Sequence, residues 1–299
     1  MMRVAILLCT HRKAALAQTI ASLADQAVRG AELRLIVADN DETEAARPAI
    51  LRAGDALPFA LDYIHAPAGN IAIARNACLD AAGDADWIAT IGAGHIAPRG
   101  WLAGMLGAAG IGAADCVFGP VRALYPPQAP RWMRELQPHS LPYDKRTRPP
   151  CGCAGNALLR WRGRPWQGRR FDPALGRMGG EDADFFRSIS GIGARMTVAR
   201  GAEVADPVSP HRLRPEWLAE RSYRAGQARV LEAQRGLSRA GLLGWAALRA
   251  GGCAAMQAIG SQDESRRNFW FLQGQIYRGI CAELLGRPHP APDRETGQG

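Results

Sequence analysis

The chain has 299 residues, of which 47% are hydrophobic, and 37 Lys and Arg against 28 Asp and Glu leave a formal net charge of +9. This apolar fraction suffices for a sizeable core and excludes a disordered chain. The positive charge favours an anionic partner, which could be nucleic acid, a membrane surface or a phosphorylated substrate. Charge alone does not choose among these three.

Cysteine content favours a reducing cytosol. The seven cysteines are an odd number, and a chain of this length does not need the disulfides that support small secreted domains. Cys151 and Cys153 have no second Cys or His pair at zinc-finger spacing, so ordinary thiols are favoured over a zinc site. The apolar residues 4–8 are too short for a secretory signal and instead predict a first buried strand.

Strand and helix patterns alternate through the first 120 or so positions, which predicts a parallel sheet with polar residues at the carboxyl ends of its strands. Continuous apolar or β-branched runs predict strands at residues 4–9, 33–38, 61–65, 86–91 and 115–122. Helical spacing predicts helices at residues 14–26, 47–51, 71–82 and 98–109. A further strand is expected at residues 155–159.

Residues 125–150 are rich in Pro, Arg and aromatic side chains. Loops of this length inside a compact domain are usually functional or disordered. Because the segment carries Trp132, His139 and Tyr143, we expect a loop that faces the substrate.

Two carboxylates follow a glycine pair at Gly179-Gly180-Glu181-Asp182, where a helix is predicted to begin. A glycine turn before a helix would place them at the rim of a cleft, where Asp182 could take a proton from a bound hydroxyl. The alternative is that both acids only complement the positive end of the helix, which is worth up to about 1 kcal/mol.

The last third of the chain predicts helices. Residues 215–234 are dense in Arg, residues 242–259 are apolar apart from Arg249 and Gln257, and residues 266–285 are amphipathic. Packed helices or a helix lying on an anionic membrane surface are favoured over a membrane span, because Arg249 interrupts the apolar run. We therefore divide the chain into residues 1–212, a helical segment 213–287 that could associate with membranes, and a disordered tail 288–299.

An ordered set of motifs runs along the chain. It comprises residues 9–12 after the first strand, 38–41 after the second, 70–76, 101–102, 179–182, and the late residues Arg212, Leu213, Trp217, Leu218, Arg221, Arg224, Gly226 and Gln227. This set resembles the family 2 inverting glycosyltransferases, which have the GT-A fold. The resemblance implies a single GT-A-like α/β domain, with a central, mostly parallel sheet flanked by helices and a C-terminal helical segment. Within the family, residues 119–125 and 130–134 are similar to the succinoglycan-type β-1,4-glucosyltransferases.

The resemblance also implies roles for individual residues. Asp182 would be the base that deprotonates the acceptor hydroxyl in a single inverting displacement. We expect the acceptor to contact Glu181, Trp132 and Asn156. The nucleotide sugar would contact Thr10, Arg12, Asp39, Asp41, Asn70, Arg75 and His95. An Arg near the pyrophosphate suits this role, since a guanidinium can pair two phosphate oxygens at once.

The chain departs from the family where a divalent metal is usually held. The acidic strand-end motif should fall at Gly92-Ala93-Gly94-His95, and a metal-binding His at Ala205, so we assign no metal ligands. Mg²⁺ or Mn²⁺ remains possible as a cofactor although its usual oxygen ligands are missing. Three explanations stay open. Cations such as His95 could neutralise the leaving diphosphate, Asp206 or His211 could hold a shifted metal, or the chain could be non-catalytic.

The predicted function is transfer of a hexose from a nucleotide sugar, expected to be a UDP-sugar, to a lipid-linked oligosaccharide in exopolysaccharide or surface-glycan synthesis. The enzyme is expected to be peripheral on the cytoplasmic face of the cell membrane and to contact anionic lipid. The alternative is a non-catalytic GT-A-fold partner that binds a glycan or another transferase. A nucleic-acid binder is disfavoured, because the aromatic residues form no stacking motif.

Overall fold

The computed structural model describes residues 1–11, 15–143, 153–177, 179–233, 238–260 and 262–287. The strands are β1 Met2–Thr10, β2 Ala31–Asp39, β3 Ala60–His65, β4 Trp87–Gly92, β5 Cys116–Phe118, β6 Val121–Leu124, β7 Asn156–Arg160, β8 Met196–Val198 and β9 Val204–Pro207. The helices are α1 Leu16–Leu23, α2 Arg47–Gly54, α3 Ile71–Ala82, α4 Trp101–Ile111, α5 Arg131–Leu136, α6 Glu181–Gly191, α7 Pro215–Ala233, α8 Arg239–Ile259 and α9 Glu264–Leu284. A short 3₁₀ turn, Pro210–Leu213, precedes α7.

The main sheet has the strand order β3-β2-β1-β4-β7-β5-β8. Strands β1 to β4 all run parallel to one another, whereas β7 runs antiparallel to both β4 and β5. Parallel pairing brings the carboxyl ends together: Thr10 is in register with Asp39, Asp39 with His65, and Cys9 with Gly92. The predicted mostly parallel sheet is confirmed, and its strand ends form one edge.

Side chains of β1 explain why its sequence is apolar without alternation. Val4, Ile6 and Leu8 pack into the core on one face of the sheet, and Ala5 and Leu7 into the core on the other. A strand that is covered on both faces has no position open to solvent. Helices therefore flank the sheet on both sides.

The single strand predicted at residues 115–122 is wrong, because the structure divides it into β5 and β6. The break falls at Gly119 and Pro120: a Cβ at Gly119 would lie 2.5 Å from the Ala202 carbonyl oxygen. Pro120 has no N–H to donate to a continuing ladder. Strand β6 instead pairs with β9 in a separate two-stranded sheet.

The expected loop at residues 125–150 is also not wholly irregular. It contains α5, and Leu141 forms an antiparallel bridge with Val121. The remaining residues of this segment, 144–150, lie outside the described residues, as do Cys151 and the tail 288–299 predicted to be disordered.

The last three helices pack on one another and on the main domain. A Cβ at Gly226 of α7 would collide with the Ile276 carbonyl oxygen of α9, and a Cβ at Gly279 with the Tyr223 carbonyl oxygen, so these glycines allow close helix contact. Helix α9 also meets α5, where Ser265 donates to Glu135. No helix in the described parts of the chain is long and apolar enough to cross a membrane.

Candidate active site at the strand ends

A cavity of about 300 Å³ opens at the carboxyl ends of β1 and β4. The residues around it that matter below are Thr10, Arg75, Gly92, His95, Cys153 and Gly155. Ligands of open parallel α/β sheets bind at such strand ends. The cavity is therefore the candidate active site.

The acidic pair begins α6, as the sequence predicts, and its turn depends on glycine. Gly179 and Gly180 have φ angles of +91° and +96°, a left-handed region that other residues rarely adopt. A Cβ at Gly180 would also approach the Ala228 Cβ of α7 to 3.1 Å. This turn brings Glu181 and Asp182 into the first turn of α6.

Arg75 of α3 joins the two carboxylates. Its Nη1 donates to Glu181 Oε1 at 2.6 Å and also to Asp182 Oδ1. Asp182 Oδ2 accepts from the Ala154 backbone N–H at 3.0 Å. Both oxygens of Asp182 thus have a defined partner, which holds the carboxylate in one orientation.

The same contacts affect the pKa values of two of these groups. Burial and, secondarily, the charge of Asp182 raise the pKa of the Glu181 carboxyl above its usual range, although Arg75 opposes the shift. Burial lowers the pKa of Arg75, but the two carboxylates outweigh it and raise the pKa overall. Arg75 therefore stays charged, and its charge is shared between two acids.

Asp39 and Asp41, predicted to contact the nucleotide, are buried at the end of β2. Tyr63 donates its hydroxyl to Asp39 Oδ2 at 3.1 Å, and the Asp41 N–H donates to Asp39 Oδ1 at 3.2 Å. Asp41 Oδ1 accepts from the Glu42 N–H at 2.7 Å. These contacts hold both carboxylates beside the end of β1.

Thr10 lies on the cavity wall, and its hydroxyl is buried without a hydrogen-bond partner among the described residues. Buried polar atoms are seldom left unsatisfied in proteins, so this hydroxyl is suited to a ligand. Arg12, the other candidate that follows β1, lies outside the described residues.

Asn70, expected to contact the donor, has its side chain engaged within the protein. It is the N-cap of α3, where Oδ1 accepts from the Ala72 N–H at 3.0 Å, and Nδ2 donates to the Pro173 carbonyl at 2.8 Å. Its backbone N–H donates to Asn40 Oδ1. These contacts support a role in fixing the start of α3, and hence the position of Arg75.

Two of the residues expected to contact the acceptor lie inside the protein. Trp132 is 3% exposed and packs with Met133 and Leu218. Asn156 is 1% exposed. Its Oδ1 accepts from Trp101 Nε1 at 2.8 Å, and its Nδ2 donates to the Pro120 and Ala202 carbonyls at 2.9 Å each. Their surroundings support structural roles, and Asn156 ties β7 to the break between β5 and β6.

The two positions where metal ligands were expected are neighbours in space. Ala205 forms an antiparallel bridge with Ile96, with N–O distances of 2.8 and 3.0 Å, directly beside His95. His95 Nδ1 donates to the Gly155 carbonyl at 3.0 Å. A Cβ at Gly92 would lie 2.7 Å from His95 Cε1. The imidazole thus occupies space that an acidic side chain at position 92 would require.

This set of groups does not fit a divalent metal. Mg²⁺ and Mn²⁺ prefer oxygen ligands, whereas residues 92–95 and 205 offer one imidazole and no carboxylate. Across the described ranges, no group of three or more His, Cys, Asp and Glu side chains could hold a metal ion. Asp206, a candidate for a shifted metal site, is engaged by Arg212, whose Nη1 and Nη2 donate to Oδ1 and Oδ2 at 3.0 and 2.7 Å.

Sequence reasoning did not place three thiols at the cavity. Cys9, Cys78 and Cys153 all line it, and Cys9 and Cys78 Sγ are 3.8 Å apart. Burial and the nearby Asp182 raise the pKa of Cys153 to about 11, so this thiol is neutral at physiological pH. The only signal for Cys9 was its position before Thr10 at a strand end.

A cluster of aromatic and arginine side chains lies at the start of α7. The guanidinium carbons of Arg212 and Arg221 lie 5.3 and 5.7 Å from the Trp217 ring centroid, and His139 stacks on the same ring. Burial, followed by the charge of Arg212, lowers the pKa of His139 to about 4. His139 is therefore a neutral packing residue at physiological pH.

Comparisons with known proteins agree with this geometry. Residues 5–162 match the family model described as Glycosyl transferase family 2. The succinoglycan biosynthesis protein ExoM of Rhizobium meliloti is 38% identical over 283 residues, which cover 93% of this chain and 91% of that protein.

Solved structures show the same fold at low identity. A mannosyltransferase from Pyrobaculum calidifontis, in complex with GDP-Man and Mn²⁺, superposes with a TM-score of 0.64 at 17% identity, covering 95% of this chain and 88% of that one. Residues 1–349 of S. aureus TarS, in complex with UDP, superpose with a TM-score of 0.52 at 12% identity, covering 96% and 91%. The GT-A-like fold is confirmed, and the chain is a glycosyltransferase that belongs to glycosyl transferase family 2.

Proposed function

We propose that the protein transfers a hexose from a nucleotide sugar, specifically a UDP-sugar, to a lipid-linked oligosaccharide with inversion at the anomeric carbon. The observation that carries this proposal is the Arg75-Glu181-Asp182 group beside a cavity at the strand ends. The similarity to a succinoglycan biosynthesis protein supports a role in exopolysaccharide or surface-glycan synthesis.

The nucleoside end of the donor is assigned to the ends of β1 and β2. The buried hydroxyl of Thr10 has a free hydrogen bond to offer, and Asp39 and Asp41 are held by neighbouring donors next to it. Carboxylates in this position suit a uracil N–H or ribose hydroxyls, which both donate hydrogen bonds. Arg12 follows Thr10 in the chain and remains assigned to the same end of the donor.

Asp182 is the proposed base. It takes the proton of the acceptor hydroxyl as the oxygen attacks the anomeric carbon, and the bond from that carbon to the nucleoside diphosphate oxygen breaks in the same displacement. Arg75 and the Ala154 N–H hold Asp182 in place, and Arg75 also contacts the neighbouring Glu181. A carboxylate that is already oriented loses little freedom in the transition state, which favours catalysis.

The diphosphate leaving group is proposed to be neutralised without a metal. Arg75 has its charge shared between Glu181 and Asp182, so we assign this role to His95, which also lines the cavity. The Nδ1 of His95 donates to the Gly155 carbonyl, which holds the imidazole at the cavity wall. Such preorganised donors at a developing negative charge are worth a few kcal/mol in other enzymes.

The proposed location is the cytoplasmic face of the cell membrane, because a lipid-linked acceptor stays in the bilayer. The last three helices, of which α8 and α9 carry a net positive charge, would approach anionic lipid, which attracts clustered Lys and Arg. Contact with the bilayer would keep the enzyme close to its acceptor.

Calorimetric titration with UDP-sugars in the presence of a chelator is the experiment that tests the proposal. Saturable binding by a one-to-one complex is expected. If no nucleotide sugar binds with or without Mg²⁺ or Mn²⁺, the second candidate gains support, namely a non-catalytic partner that binds a glycan or another transferase. One observation favours that candidate, which is the simultaneous loss of both metal-binding elements.

A further inference from the structure

Helix α8 has one covered face and one open face. Leu242, Ala246 and Cys253 are buried against neighbouring helices. On the open face, Trp245 is 41% exposed, Leu248 is 78% exposed and Ile259 is 71% exposed. Large apolar residues that are exposed together on one helix face usually mark an interaction surface.

A groove of about 350 Å³ runs between this open face and α9. Leu248, Gly252 and Met256 line one side, and Phe269, Trp270 and Tyr277 line the other. We call this groove, together with Trp245 and Ile259, the α8–α9 face. Its lining consists mainly of carbon atoms, so an apolar chain fits it better than a polar ligand.

Unpaired arginines border the α8–α9 face. Arg249 lines the groove, and its guanidinium carbon lies 5.8 Å from the Trp245 ring centroid. Arg266 lies beside Gly260, where α8 meets α9: a Cβ added at Gly260 would be 3.2 Å from Arg266 Cγ. In the described parts of the chain, no carboxylate lies within ion-pair distance of either arginine. Residues 238–287 contain six arginines and three acids, which leaves this segment with a charge of +3.

We infer that the α8–α9 face docks on a bilayer of anionic phospholipid, with an acyl chain in the groove and lipid phosphates on Arg249 and Arg266. An apolar centre with cationic borders matches the two parts of an anionic lipid, whereas a protein partner would need no particular charge. Apolar burial and attraction to anionic lipid add together for helices that lie in the membrane surface. The inference rests on the membrane-peripheral function proposed above and names its docking element.

The docking face is connected to the acidic pair by close packing. Gly226 and Gly279 bring α7 against α9, and Ala228 of α7 contacts Gly180 directly before Glu181. A bilayer bound to α8 and α9 would therefore lie at a set distance from Asp182. That arrangement suits an acceptor whose lipid end remains in the bilayer.

The test is co-sedimentation of the full chain with vesicles of phosphatidylglycerol and phosphatidylcholine, compared with vesicles of phosphatidylcholine alone. Binding to the anionic vesicles at low salt is expected, and weak binding to the neutral ones. Leu248→Glu should lower the affinity by at least about ten-fold, since it places a charge where a leucine side chain would be buried. The matched control is Ile111→Glu, which alters a 93% exposed isoleucine on α4 and should bind as the unmodified chain does.

A charge series separates the electrostatic part. Arg249→Gln combined with Arg266→Gln should weaken binding several-fold at low salt and leave little difference at high salt. The control is Arg99→Gln, which changes an 85% exposed arginine outside α8 and α9. Thermal melts of each variant show whether a loss of binding is a loss of folding.

The inference is overturned if the unmodified chain does not bind anionic vesicles, or if Leu248→Glu and Ile111→Glu bind them with the same affinity. It is also overturned if the chain without lipid forms a dimer that Leu248→Glu dissociates, because a second copy would then cover the face. Donor titration in solution is independent of lipid, so failure of vesicle binding with intact donor binding rejects only the docking face. Failure of donor binding with intact vesicle binding rejects only the proposed catalysis.

Discussion

Two sides of one cavity contrast in their chemistry. The acidic side consists of Arg75, Glu181 and Asp182, and its charged groups contact one another directly. The histidine side consists of Gly92, His95 and Gly155, where the imidazole packs against two glycines and none of the three residues is an acid.

The contrast indicates that two parts of glycosyl transfer can be separated within the same fold. Proton removal from the acceptor needs a positioned carboxylate, and the acidic side has one. Charge neutralisation on the leaving diphosphate needs a cation or donors, and this can be met by a metal or by side chains. In the proposed mechanism, the acidic side performs the first task and His95 contributes to the second.

The largest effect is expected from Asp182→Asn. An amide cannot take the acceptor proton, so kcat should fall by about 10³-fold or more, at the upper part of the range for general bases. The Kd for the donor should change less than about two-fold, because the base acts on the acceptor alone. Asp184→Asn is the matched control on the same helix turn, since Asp184 pairs with Arg187 at the surface. Retained turnover with lost donor affinity would reassign Asp182 to the donor side.

The next largest effect is expected from His95→Ala on the histidine side. Loss of a donor to the leaving group should lower kcat by about 10²-fold, as seen when preorganised donors are removed elsewhere. Steady-state kinetics and UDP inhibition measure it, and UDP should bind more weakly as well. His211→Ala is the control, and strong loss at His211 with none at His95 would favour a shifted metal site.

A smaller effect is expected from Gly92→Ala. The added Cβ would lie within 3 Å of the His95 ring, so the imidazole must move, and kcat should fall by about ten-fold with the acidic side intact. Gly92→Asp should behave similarly and should not create a metal requirement. Activation of Gly92→Asp by Mn²⁺ would contradict this expectation, because it would show that the His95 ring can move away from position 92 and that a metal site can form there.

The smallest effect is expected from chelation. With EDTA present, turnover of the unmodified chain should stay within about two-fold of its value with Mg²⁺ or Mn²⁺, because the groups around the cavity do not fit a hard cation. A strict metal requirement would mean that the two sides differ less in chemistry than their residues indicate.

Local pattern was enough for most of the fold. The continuous apolar run of β1 predicts a strand covered on both faces, and the residues of α3 predict its helix with the observed bounds. The glycine pair before Glu181 predicts the turn that begins α6. These features depend on neighbouring residues along the chain, so motif and periodicity carry the information.

Features that depend on residues far apart in the sequence could not be predicted from local pattern. Asn70 and Asn156 have the polarity of ligand-binding residues, yet both are used inside the protein by groups that lie far away in sequence. The strand predicted at residues 115–122 breaks at Gly119 and Pro120, where the distant Asn156 donates to the Pro120 carbonyl and leaves no space for a side chain at Gly119.

The candidate site follows the same division. Asp182 was identifiable from its motif, and the missing acids at residues 92–95 were visible in the chain. The groups that lie at this place could not be predicted from the sequence, because their contacts arise from folding. These contacts are those of His95 with Gly92 and Gly155, the pairing of Ala205 with Ile96, and the sharing of Arg75 by two acids. A residue type states which hydrogen bonds and charges a side chain can offer, and the packed surroundings determine which of them remain for a substrate.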